Sequence, residues 1–110
     1  MADIKNYELS LSLSKAREKA ADTYQFPIRI INKSSIGFQK AEVAVKDTES
    51  NEVDTAYFGY IAAKTTSTEY VNLPGGIEFC TFRIFPDVGD DIVGGGIASN
   101  APGVDITIND

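Results

Sequence analysis

The octet Tyr7-Glu8-Leu9-Ser10-Leu11-Ser12-Leu13-Ser14 alternates apolar and polar residues without a break. Successive side chains of an extended chain point to opposite faces, so this stretch places four apolar groups on one face and four polar groups on the other. That is the pattern of a strand buried on one side. The same period returns downstream. Tyr24, Phe26, Ile28 and Ile30 carry it with Arg29 on the opposite face, and Ala41, Val43 and Val45 carry it against Glu42, Ala44 and Lys46. Val53–Ile61 and Thr66–Leu73 are rich in β-branched and aromatic residues, Ile77–Phe85 is the most aromatic run, and Val104, Ile106 and Ile108 close the series.

Between these runs lie turn signals: Asn32–Gly37 (NKSSIG), the polar hairpin stretch Asp47–Glu52 (DTESNE), Ala62–Thr65 (AAKT) and Pro74-Gly75-Gly76. Lys15–Ala21 (KAREKAA) contains good helix formers, but seven residues make a marginal helix, and the reading here is a charged loop or a single helical turn. Pro27 predicts an edge position, or a strand that starts after it. Val53–Ile61 is apolar on both faces, which suits a central strand. Pro86–Gly103 holds five glycines and two prolines, and its triple glycine Gly94–Gly96 reads as part of a mobile or bulged inter-strand loop. Seven candidate strands with no convincing helix predict an all-β protein, an antiparallel immunoglobulin-like β-sandwich of about seven strands in a single domain spanning 1–110.

Composition narrows the functional classes. There is no histidine, and Cys80 is the only cysteine. A Ser-His-Asp or Cys-His arrangement needs an imidazole to take the nucleophile's proton, and transition-metal sites draw mostly on His nitrogen or several thiolates. Cys80, inside an alternating apolar run, is expected to be a small buried hydrophobe. The net charge is −6, and Asp87, Asp90, Asp91, Asp105 and Asp110 follow Arg83 with no Lys or Arg after it. Such a surface repels phosphate backbones, so nucleic-acid binding is disfavoured. No apolar run approaches the ~18 residues of a membrane span, and residues 1–13 lack a basic cap followed by an apolar stretch. The expected compartment is the cytoplasm; export by a non-classical route or after loss of a signal would leave the same sequence.

Three constellations could carry chemistry. Asp87, Asp90 and Asp91 are candidate oxygen ligands for Ca2+, with Asp105 or the Asp47/Glu49 hairpin as further donors. Their spacing fits neither the EF-hand loop nor the glycine-rich nonapeptide, so a solvated acidic loop without a cofactor is the expectation and Ca2+ the minority reading. Gly94-Gly95-Gly96 could present N–H groups to an anion, but no GKS or GKT follows and the surroundings are acidic. Paired carboxylates could run glycoside hydrolysis without histidine, yet neighbours such as Asp90 and Asp91 point to opposite faces of an extended chain. The protein is therefore expected not to be an enzyme. The aromatic residues are more informative. Tyr57, Phe58 and Tyr60 share one strand, and because Tyr57 and Phe58 face opposite ways, at least one is turned from the core toward a partner surface.

The stretch from Ile31-Asn32-Lys33-Ser34 through Ala41–Asp47, Val53–Tyr57, Ile61–Ser67 and Gly76–Asp87 resembles the adhesion-type immunoglobulin-like modules related to CARDB domains. The likeness covers about half the chain and rests on structural positions. It implies an interaction module and transfers no catalytic residue. Together these readings predict a non-enzymatic module for a protein partner or for self-assembly into a homo-oligomer, with Tyr57, Phe58 and Tyr60 as contact residues and Val104–Ile108 as a strand available at a sheet edge. The alternative is a small carbohydrate-binding lectin using the Asp87, Asp90 and Asp91 loop.

Overall fold

The computed structural model describes residues 6–11, 17–20, 23–47, 51–73, 79–97 and 103–110. These form nine strands and no helix: β1 (Asn6–Leu11), β2 (Arg17–Ala20), β3 (Thr23–Asn32), β4 (Phe38–Lys46), β5 (Glu52–Phe58), β6 (Thr66–Leu73), β7 (Phe79–Pro86), β8 (Ile92–Ile97) and β9 (Val104–Asn109). Each of the seven predicted runs contains a strand, but the run expected over Val53–Ile61 ends at Phe58, leaving Tyr60 outside it and Ile61 as an isolated bridge to Phe38, and residues 77–78 of the Ile77–Phe85 run lie outside the described residues. Ser12–Ser14 and the Pro74–Gly76 turn lie outside the described residues.

Two strands are additional, and both correct the sequence reading. Arg17–Ala20, expected to be loop or helical turn, pairs with β3 as β2. Ile92–Ile97, expected to be part of a loop, pairs with β7 as β8. The chain reverses between β7 and β8 at Asp87–Asp90, where Gly89 adopts φ +96°, a conformation that costs glycine little. Gly95 is required by close approach, because a Cβ there would lie 2.5 Å from the Cys80 carbonyl oxygen on β7.

The strands divide into two sheets. One is β5-β4-β7-β8, antiparallel throughout. The other joins β1, β9, β3, β2 and β6. Residues Tyr24 to Ile31 of β3 pair with β6, so β2 and β9, whose partners on β3 overlap that span, both lie along its other edge. The β2 ladder ends at Gln25 and the β9 ladder starts at Ile28. Pro27, which has no N–H, falls in the gap between them, and this is why proline is tolerated within β3 rather than only at an edge or a strand start. The β3–β9 pairing is parallel, a departure from the expected antiparallel arrangement. Two expected positions are exchanged as well. β9 lies inside its sheet between β1 and β3, so Val104–Ile108 offers no edge, whereas β5, expected to be central, is an edge strand.

Inward-facing residues of both sheets form one apolar cluster. Phe26, Ile28, Ile30, Val71, Val104, Ile106 and Ile108 come from the first sheet; Val43, Val45, Phe58, Cys80, Phe82 and Ile84 come from the second. Two polar devices close the structure. Asn32, fully buried, donates from Nδ2 to the carbonyl oxygens of Ile36 (2.9 Å) and Ala62 (3.1 Å), while its Oδ1 accepts from Ser34 N–H (3.0 Å) and Oγ–H (2.5 Å). This ties the β3–β4 turn to the β5–β6 connection. Arg29 and Asp105, neighbours in the parallel ladder, form a two-point ion pair with N···O distances of 2.7 and 2.5 Å. The carboxylate bonded to it raises the Arg29 pKa further above its ordinary value.

Candidate functional site

The register of the four-stranded sheet fixes what its outer face presents. Directly paired residues share a face, so its outward side chains fall into rows that cross the strands. One row reads Tyr57–Glu42–Arg83–Val93, the next Thr55–Ala44–Thr81–Gly95, and the third Glu52–Lys46–Phe79–Ile97. Short side chains fill the middle row and long ones the outer two. The result is an open transverse groove of about 390 Å³ between Tyr57 and Val93 on one wall and Glu52 on the other. It crosses four strands, roughly 14 Å at ~4.8 Å per strand spacing. In its floor, Thr55 Oγ1 is buried with no hydrogen-bond partner among the described residues.

This face also carries three of the six large exposed hydrophobic residues among the described residues. Tyr57 is 67% exposed, Val93 59% and Ile97 76%. Phe85, one row beyond, is flanked by Lys40 Nζ at 4.8 Å and the Arg83 guanidinium at 5.7 Å from its ring centre. Val93 and Ile97 stand on β8, whose second edge has no strand paired to it among the described residues. β8 contains no charge and no proline, and the glycines at 94–96 leave its backbone unshielded.

The sequence-based candidates separate on this frame. Tyr57 projects from the groove wall. Phe58 is 3% exposed and belongs to the core, so it is unavailable as a contact residue, because strand alternation sends it the other way. Tyr60 is exposed beyond the end of β5, and its hydroxyl donates to Asp87 Oδ2 at 3.0 Å. That bond raises the phenol's pKa, since ionisation would set two negative oxygens together. Gly37 lies directly beneath, and a Cβ there would overlap the Tyr60 ring. Asp91 pairs with Arg83 at 3.4 Å. With Asp87 turned to Tyr60 and Asp91 to Arg83, the three carboxylates Asp87, Asp90 and Asp91 do not converge. Among the described residues no three His, Cys, Asp or Glu side chains could hold a metal ion together.

Cys80 faces the core on β7, fully buried, and burial pushes its thiol up to about 11. It matches the expected packing role. Sequence reasoning missed Val93, Ile97 and the groove. Val93 and Ile97 were absorbed in a glycine-rich stretch, and the groove exists only once three inter-strand registers are known.

No protein-family model matches the chain, and no curated protein matches it. Among solved structures, an NMR structure of a protein from Eubacterium rectale is similar, with a TM-score of 0.59 at 12% identity over 81% of this chain and 79% of that one. At that identity the likeness concerns the fold alone.

Proposed function

We propose that this protein is a non-enzymatic, immunoglobulin-like adhesion-type module that binds a protein partner by strand addition at β8. The chain path supports the immunoglobulin-like reading: it crosses between sheets at β3–β4, β5–β6, β6–β7 and β8–β9, with hairpins at β4–β5 and β7–β8. The observation that carries the function is the uncharged β8 edge, with Val93 and Ile97 exposed beside a row of backbone donors and acceptors that no strand among the described residues pairs. Main-chain ladder bonds would give such a contact its affinity, and the alternating side chains its selectivity. Selection of displayed peptides on the folded domain is expected to enrich extended, alternately apolar sequences whose binding is lost in V93K/I97K. Enriched peptides that bind the double variant equally well would contradict the edge as the site.

A second reading has its own support. Tyr57 stands beside Glu42 and Arg83 at the wall of the transverse groove, an aromatic face next to charge-assisted hydrogen-bonding groups, and the buried Thr55 hydroxyl lies in the floor. That combination suits a saccharide ring, and it moves the carbohydrate reading from the acidic loop to the sheet face. Titration with soluble oligosaccharides, followed by amide chemical shifts, should then perturb the groove residues in wild type and leave them unmoved in Tyr57→Ala.

A further inference from the structure

We infer that the partner at the β8 edge is a second copy of this chain, paired antiparallel about a two-fold axis at Gly95 so that two four-stranded sheets join into one of eight strands. The inference rests on the strand-addition reading and adds the identity and register of the partner.

The other edge of this sheet is less suited to a copy. At the opposite side of the sheet, β5 carries Glu52 and Asp54, and Asp54 Oδ2 accepts from the Asn72 N–H of β6 at 3.0 Å, which clasps the two sheets together. A copy approaching there would meet like charge on charge. β8 carries none, an unusual feature for the edge of a protein with net charge −6, since charged edge residues ordinarily prevent self-pairing.

Parity sets outward residues opposite outward residues, and charge then selects the register. In a symmetric antiparallel pair, opposed residues share a face, so Val93, Gly95 and Ile97, which point outward, must oppose outward residues of the copy. Centring on Gly94 would set Ile97 against the second copy's Asp91. Centring on Gly95 sets Val93 against the second copy's Ile97, twice, and gathers the most exposed β8 side chains into one apolar patch across the axis. In that register the two Asp91 carboxylates stand eight residues apart, roughly 27 Å, beyond the ~10 Å screening length at 0.1 M salt. Each also has Arg83 beside it at 3.4 Å. Of the two β8 registers, this one therefore brings less repulsion between copies of a −6 protein.

The contact is limited to one strand and its flanking side chains, below the ~1,000 Å² of durable interfaces, so dimerisation should be reversible and concentration-dependent. Sedimentation velocity from 1 µM to 1 mM is the first test, with V93K/I97K as the control. Both residues are exposed, so that variant should keep the wild-type circular dichroism and melting temperature while staying monomeric. Register is read by thiol cross-linking. A mixture of V93C and I97C should give a disulfide-linked dimer, whereas V93C alone should not, because its own copies lie ~14 Å apart across the axis and bridged Cα atoms are under ~7 Å. A chain monomeric at 1 mM that still binds extended peptides at β8 overturns the second-copy inference and leaves the strand-addition reading standing. A monomer that binds none removes both. A dimer that survives V93K/I97K places the self-contact elsewhere and also overturns the inference.

Discussion

The two lateral edges of the four-stranded sheet are built on opposite terms. At β5 the edge is acidic and clasped, with Asp54 bonded across to β6 and the connection to β6 held by Asn32. At β8 the edge is uncharged, glycine-rich and flanked by exposed Val93 and Ile97. A strand edge exposes the same backbone groups whatever its sequence, so the difference lies in what surrounds them. One side spends polar side chains on closing the sandwich, and the other leaves the ladder ready to extend.

The closed side is the one that should fail under mutation. Asn32→Ala removes a buried side chain bonded to Ser34 and to the carbonyls of Ile36 and Ala62, and it should cost about 3 kcal/mol, measured by urea denaturation. A loss below ~1 kcal/mol would show that the β5–β6 connection is held by packing alone. Gly95→Val attacks the other side from within. Its Cβ would press on the Cys80 carbonyl, displacing β8 from β7 at a cost of about 2 kcal/mol. The companion readout is Cys80 itself, whose thiol lies opposite Gly96 and should label slowly in wild type and faster in the variant.

Cys80 also gives the comparison a pH signature. Its folded pKa of about 11 lies above the unfolded value near 9, so the neutral thiol's contribution is intact below pH 9 and is lost as pH rises toward 11. At pH 10 wild type should have lost about 1 kcal/mol relative to Cys80→Ala, each compared with its own stability at pH 8. Equal losses in the two proteins would mean that β8 leaves the thiol open to water.

How much of this was legible in the sequence depends on which contacts each feature requires. Period two is local, so every run from Tyr7 to Ile108 was readable as a strand, and Asn32–Gly37 as a turn. β8 was not, because three of its six residues have no side chain and so carry no alternation. β2 was hidden by four residues with helical propensity that pair only because β3 lies beside them. Edge and centre were exchanged for β5 and β9 because side-chain pattern reports burial and not neighbour order. Among the site residues, alternation indicated that Tyr57 and Phe58 must part, but which one faces the core was decided by pairing with β4.

Two smaller effects sharpen the contrast. Asp54→Ala, which unfastens the clasp, should cost about 0.5–1 kcal/mol by the same denaturation assay. V93K/I97K should change stability by less than ~0.5 kcal/mol, as exposed positions allow, so that any loss of binding or association belongs to the edge itself.

The most direct measurement is site-resolved amide hydrogen exchange across β8 as a function of protein concentration. At 1 µM, the amides of Ile92–Ile97 that point away from β7 should exchange rapidly while the amides facing β7 remain protected. Raising the concentration to 1 mM should slow the outward set, leaving exchange along β5 unchanged. Outward β8 amides already protected at 1 µM would mean that the edge is covered within the chain, and the contrast between the two edges would not hold.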